Sequence, residues 1–258
     1  MPGKFILALC CTLSLWSNAS AAPPREYYLI TVYQYRTSAQ EMVLDDFLEH
    51  ALLPAWHRNG IGMIGAFKPL TNDTAVQKTL YVITPFRDAA QAESMEEALN
   101  SDEQFQEKGK AYVQAPWDQP PYDRMEKTWV KAFRFAPQMN RPRLTGPKAE
   151  HIYEFRSYEG PTESLYRSKV HMFNEGGEIP LFERLGFNAI FYGEVLLGAR
   201  QPNLVYMTSF NNREEREVHW KAFFDAPEWK ALVAKPEYQH NVSKVDIVLM
   251  RAAPYSDY

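Results

Sequence analysis

The chain has 258 residues, 45% of them hydrophobic and 14% aromatic, which exceeds the needs of one domain of about 100 to 150 residues and can supply two packed cores. With 28 basic against 32 acidic side chains, the net charge of −4 offers no basic footprint for nucleic acid or an anionic membrane, and nucleic-acid partners are excluded.

Residues 1–21 differ from the rest. Lys4 is their only charge, Phe5 to Trp16 is apolar, and Ala19-Ser20-Ala21 closes the segment with small residues. This is the pattern of a secretory signal peptide cleaved after Ala21, with an apolar run too short for a spanning helix of roughly 20 residues. The mature protein is expected to be exported, periplasmic or secreted, with no stable membrane insertion once the signal is removed. Cys10 and Cys11 are the only cysteines, so the mature chain has no disulfide, thiol nucleophile or Cys ligand. Loss of Lys4 leaves 27 basic and 32 acidic side chains, a net charge of −5.

Tyr27 to Tyr35 (YYLITVYQY) is dense in aromatic and β-branched residues and reads as the first strand. Ser38 with Glu41 makes a capping box that opens a helix through Leu53, which Pro54 should kink or restart. Ile61 to Leu70 reads as a strand interrupted by Gly62 and Gly65, Thr71 to Asp73 as a turn, and Leu80 to Phe86 as the third strand. A helical region from Asp88 to about Val113 breaks near Asn100-Ser101; Ala115 to Asp123 is a loop, and Thr128 to Phe135 alternates as a fourth strand. Residues 137–149, with prolines and a glycine, form the linker between a first domain, 27–136, and a second, 150–253.

The second half repeats the order. His151 to Tyr158 is a strand, Thr162 starts a helix that breaks at Gly176-Gly177, and Phe187 to Leu197 is the next strand. Leu204 to Phe210 is a third strand, and Asn212 with Glu215 caps a helix on which Val218, Ala222 and Phe223 recur at helical spacing. Pro227 opens another helix, and Val242 to Arg251 ends the repeat as a strand. Tyr28 to Tyr35 aligns with His151 to Tyr158 at an offset of 123, and the third strands align at about 125. The fold expected is α+β: two tandem ferredoxin-like βαββαβ domains packed sheet to sheet as an intrachain pseudo-dimeric α+β barrel.

Glu154-Phe155-Arg156-Ser157-Tyr158 resembles the opening strand motif of the NIPSNAP family, and Asp225-Ala226-Pro227-Glu228-Trp229 resembles its helix motif. The resemblance covers 151–253 clearly and 27–137 weakly. It implies a dimeric α+β barrel of ferredoxin-like units, in a superfamily holding both enzymes and non-catalytic binders.

In the first half Thr31, Tyr33 and Gln104 stand where the second has Glu154, Arg156 and Trp229, so the second half is the expected home of a site. Glu154, Arg156 and Tyr158 share one strand face, readable as a polar cluster inside the barrel or as a structural ion pair. Arg216, His219 and Trp220 on the later helix are further candidates for lining a pocket, against the alternative that such aromatics are core. His171 and Glu175 stand at i and i+4 and, with Glu178 or His219, outline a mixed His/carboxylate set; without HxxxH or HExxH spacing the expectation is no metal. No phosphate loop, GxSxG or HExxH is present, catalytic residues are not assigned and no cofactor is expected.

These features favour a non-catalytic exported protein that binds a small apolar or aromatic ligand in the barrel interior, or assembles, including as a homo-oligomer. The alternative is a cofactor-independent monooxygenase or isomerase-like enzyme, with Glu154, Arg156 and His219 in the second half as its site. A third reading presents the outer helices to a protein partner.

Overall fold

The computed structural model describes residues 23–258; the expected signal segment and both cysteines lie outside them. The fold is α+β: eight antiparallel strands close into one barrel, with helices on its outside. The strands are β1 Tyr27–Tyr35, β2 Gly65–Pro69, β3 Lys78–Phe86, β4 Arg124–Ala132, β5 Ile152–Glu159, β6 Asn188–Leu197, β7 Asn203–Phe210 and β8 Lys244–Ala252. Their order around the barrel is β1-β3-β2-β8-β5-β7-β6-β4.

Each half therefore contributes four adjacent strands in the same order, β4-β1-β3-β2 and β8-β5-β7-β6. The two sets meet edge to edge, not as stacked faces: Phe67 to Pro69 pairs with Met250 to Ala252, and Trp129 to Ala132 pairs with Gly193 to Leu197. Closure leaves no unpaired strand edge, the usual liability of a four-stranded sheet. At the second seam a Cβ on Gly193 would lie 2.3 Å from Val130 Cγ1 and 2.9 Å from the Lys131 carbonyl, so only glycine admits this approach.

The first-half helices are α1 Ser38–Phe47, α2 Leu53–Arg58, α3 Ala89–Ser101, α4 Glu103–Lys108 and α5 Lys110–Val113. Thr37, one residue before the expected cap, closes the capping box with Gln40. Pro54 cannot donate to the preceding turn, and the chain passes through a π-helical turn, Leu48–Leu52, before α2. The second-half helices are α6 Glu163–Asn174, α7 Glu178–Arg184, α8 Arg213–Asp225 and α9 Pro227–Val233. Gly177, at φ +99°, makes the corner between α6 and α7 that the paired glycines suggested.

Two boundaries differ from the sequence reading. The second strand is only Gly65–Pro69, and β4 begins at Arg124 and ends at Ala132, several residues before the expected Phe135. Charged Arg124, Glu126 and Lys127 hid the start of β4, which lies where strand ends reach solvent. Among the described residues no helix is long and apolar enough to cross a membrane.

Strand alternation sorts the side chains into three cores. Tyr28, Ile30, Phe67, Ile83, Val130, Tyr153, Phe155, Phe191, Met207 and Met250 fill the barrel interior. Tyr258 enters from one end, 5.5 Å from the Phe67 ring centre and 6.3 Å from that of Tyr153. The opposite end opens as a polar cavity of about 460 Å³ bordered by Gln34, Thr79, Glu126, Ser157 and Asn203. The outer faces form the other two cores, one beneath α1 to α4 and one beneath α6 to α9.

Candidate functional site

Period-two alternation decides where the sequence-derived candidates lie. Tyr153 and Phe155 point into the barrel, so Glu154, Arg156 and Tyr158 point outward beneath the second-half helices. The expected polar cluster inside the barrel is thus corrected: it exists, on the opposite face. β5 is buried on both faces, with Ile152 and Tyr158 flanking Glu154 and Arg156 on one and Tyr153 and Phe155 on the other, so the presence of apolar side chains alone did not say which face turned inward.

Glu154 is fully buried and saturated with donors. Arg156 Nε donates to its Oε1 at 2.7 Å, Arg216 Nε to its Oε2 at 2.6 Å, Arg216 Nη2 to Oε1 at 3.0 Å, and Trp220 Nε1 to Oε2 at 2.8 Å. Arg156 Nη1 donates to Tyr158 Oη at 2.7 Å, and Tyr158 Oη meets Tyr206 Oη at 2.9 Å. The Arg156 guanidinium also lies 3.8 Å from the centre of the Trp220 ring. Burial alone would push the Glu154 carboxyl up; the Arg216 hydrogen bonds, the Arg156 and Arg216 charges and the indole N–H outweigh it and hold the carboxyl below its ordinary range.

The charges are balanced locally. Arg216 Nη1 also pairs with Glu217 at 2.7 Å, and Lys169 Nζ pairs with buried Glu178 at 2.8 Å. Three carboxylates therefore face three cations, with the Lys169 ammonium 4.7 Å from the Phe173 ring centre. Burial pushes the Glu178 carboxyl up despite Lys169. Among the five main cavities of the described residues, none is lined by Glu154, Arg156, Tyr158, Arg216 or Trp220. The cluster is a closed clamp joining β5 to α8.

The remaining candidates do not join it. His171 Nδ1 meets Tyr238 Oη at 2.8 Å, and His219 lies among Phe187, Phe210 and Glu215. With Glu178 committed to Lys169, the His171, Glu175, Glu178 and His219 set does not converge, and no group of three such side chains among the described residues is placed to hold a metal. The expected apolar stripe on α8 also shifts: Val218 is 66% exposed, whereas Trp220 and Phe223 are buried.

The open space lies in the other half. A cavity of about 410 Å³ sits between the outer face of β1, β3 and β4 and helices α1 to α5, lined by Leu29, Thr31, Tyr33, Phe47, Trp56, Ala92, Leu99, Phe105 and Tyr112 among others. Its walls are aromatic: Phe47 and Tyr112 stack at 3.8 Å, and Trp56 meets Phe86 edge-on at 6.3 Å. The polar atoms are few. Tyr112 Oη donates to Tyr33 Oη at 3.4 Å, Thr31 adds a hydroxyl, and Lys127 pairs with Glu96 at 3.1 Å on one side. Such a lining suits a flat apolar molecule oriented by one or two hydrogen bonds.

The repeat explains why one half is open and the other filled. With β3 and β7 ending at the equivalent Phe86 and Phe210, Val82 matches Tyr206. Thr31 lies opposite Val82 as Arg156 lies opposite Tyr206, which matches Leu29 to Glu154, Thr31 to Arg156 and Tyr33 to Tyr158, two residues from the alignment expected from sequence. Helices α3 and α8 both begin two residues beyond their strands, capped by Asp88 and Asn212, which matches Ala92 to Arg216, Glu96 to Trp220 and Leu99 to Phe223. The space the second half fills with two guanidiniums and an indole is left by Thr31, Ala92 and Glu96 in the first. The same caps match Phe105, not Gln104, to Trp229, so the aromatic of the helix motif persists in both halves. Ladder register also matches Trp129 to Leu249, not to Val245, correcting the expected correspondence of the last strands.

The NIPSNAP family model matches residues 153–257. Among solved structures, a monooxygenase candidate from Lactobacillus acidophilus is 10% identical, with a TM-score of 0.59, covering 88% of this chain and 94% of that one. A monooxygenase candidate from Fusobacterium nucleatum is 7% identical, with a TM-score of 0.55, covering 88% and 92%. An anthrone oxidase-like protein is 12% identical, with a TM-score of 0.51, covering 90% and 93%. At these identities the likeness is one of fold. A search of curated proteins gives no match. Residues 153–257, in the second half of this two-half barrel, are thus where the chain is similar to the NIPSNAP family.

Proposed function

We propose that the protein is an exported, non-catalytic binder of a small, flat, apolar or aromatic molecule, built from two tandem ferredoxin-like units, and that the ligand lies in the first-half cavity. The carrying observation is the asymmetry of equivalent spaces: one is closed by the Glu154 clamp, the other is an aromatic-lined cavity of about 410 Å³. This replaces the barrel interior as the ligand's place, since that interior is packed through its middle and polar at its open end. Export rests on the signal pattern of residues 1–21.

The test is native mass spectrometry of the protein purified from its own source, beside an Ala92→Phe variant whose ring would occupy the cavity. An organic ligand retained by the first and lost by the second supports the reading. A ligand retained equally by both overturns it.

The second reading is a cofactor-independent monooxygenase or isomerase-like enzyme. The names of the three structural neighbours support it, as do the Tyr33 and Tyr112 hydroxyls, which could hold a phenolic or carbonyl oxygen. In the second half this reading lacks a cavity; in the first it has one. Oxygen uptake with anthrone, compared between the wild type and Tyr33→Phe, separates it from simple binding.

A further inference from the structure

Trp117 is 93% exposed, the most solvent-exposed aromatic side chain among the described residues with large apolar exposure. A large indole held in water is an anomaly to be explained, because burying such a side chain is worth several times what a small one gains. Its position supplies the explanation. Trp117 lies on the loop between α5 and β4, where Gln119 N–H donates to the Pro116 carbonyl at 3.0 Å and makes a tight turn at the apex. The loop is fixed on both sides: Gln114 N–H donates to the Lys110 carbonyl at 2.9 Å, and Asp123 N–H to the Gln34 carbonyl at 2.7 Å.

Trp117 borders a groove of its own, and that groove shares Glu96, Leu99, Phe105 and Tyr112 with the first-half cavity. The groove thus adjoins the cavity across these four side chains, and the indole stands at its rim. Prolines 116, 120 and 121 stiffen the loop backbone, so rotation of the side chain, not refolding of the loop, is the low-cost motion available.

We propose that Trp117 is a ligand-contacting residue of the first-half site: its indole turns down into the groove and stacks on the exposed face of a flat, uncharged aromatic ligand, completing an aromatic wall begun by Phe47, Phe105 and Tyr112. The inference rests on the reading of that cavity as the binding site. It extends the ligand's class to a molecule of at least two fused or linked rings, one held in the cavity and one reaching the Trp117 groove.

The experiment uses N-phenyl-1-naphthylamine, a neutral probe of a naphthalene linked to a phenyl ring, with protein carrying 5-fluorotryptophan; the Trp117 resonance is identified by its absence from Trp117→Phe. The expected result is that Trp117 loses its H2O/D2O isotope shift as the probe saturates, and that Trp117→Ala weakens probe binding by about 3- to 10-fold, the worth of one aromatic stacking partner. If the probe binds, the isotope shift persists and Trp117→Ala binds equally well, the proposal fails while the cavity reading stands. If Ala92→Phe and the milder Ala92→Leu, both folded by thermal melting, bind the probe as wild type does, the cavity reading itself fails. If Trp117 is protected without probe and its protection grows with protein concentration, the indole packs on a second copy and the proposal is overturned.

Discussion

Glu154→Gln tests the claim that the second-half cluster is a clamp. The substitution keeps the shape of the side chain but removes the only carboxylate that faces Arg156, Arg216 and Trp220 together. The Arg156 and Arg216 side chains are 9% and 13% exposed, so water can take over only a small part of what is lost. Breaking a buried ion pair by removing one partner costs about 3–5 kcal/mol. Arg216 keeps Glu217, which places the expectation toward the lower end of that range. With a urea m-value of about 2–3 kcal/mol per M, the midpoint should fall by roughly 1–2 M at pH 7, read by far-UV circular dichroism.

The wild type should also lose stability in acid. The Glu154 carboxyl is held below its ordinary value in the folded protein, so its contribution is complete above the unfolded pKa of about 4.3 and disappears as pH falls through the folded value. Glu154→Gln should lack that acid-dependent component. A midpoint shift of about 0.3 M or less, or an unchanged acid profile, would refute the clamp and return Glu154 and Arg156 to consideration as a reactive pair.

Four further outcomes follow from the same contacts. Trp220→Ala removes an indole that is 5% exposed together with its hydrogen bond to Glu154, and should cost about 3–5 kcal/mol in urea denaturation while opening a cavity in the second half. Ala92→Phe places a ring in space that is already empty, and should change stability by about 1 kcal/mol or less while abolishing probe binding measured by fluorescence. Tyr33→Phe removes the acceptor of the Tyr112 hydrogen bond and should weaken a ligand bearing a polar oxygen more than a pure hydrocarbon, as isothermal titration would show. N-terminal sequencing of the exported protein should begin at Ala22.

The repeat was legible in the sequence because the same order of strand and helix signals recurs at nearly constant offsets, with Asp88 and Asn212 capping equivalent helices. Closure of one barrel was legible too, but not its manner: the β2·β8 and β4·β6 seams depend on backbone pairing between distant segments that side-chain patterns do not encode. The face of β5 was misassigned because both sides are buried: Tyr153 and Phe155 fill the barrel while Glu154 and Arg156, beside Tyr158, lie under the helices, where a charged pair on a buried strand was read inward. Their partner Arg216 was named as a candidate, yet its distance of 62 residues from Glu154 hid the bidentate contact. The first-half cavity escaped notice for a simple reason. It is made by small or retracted residues such as Ala92 on a helix remote from Thr31 and Tyr33, and an empty space leaves no motif.

The account is tested most directly by a crystal structure of the protein soaked with N-phenyl-1-naphthylamine. It predicts density for the probe between Tyr33, Phe47, Ala92 and Tyr112, with the Glu154 clamp unchanged. Density in the polar mouth of the barrel or beneath α8, with the first-half cavity empty, would contradict it.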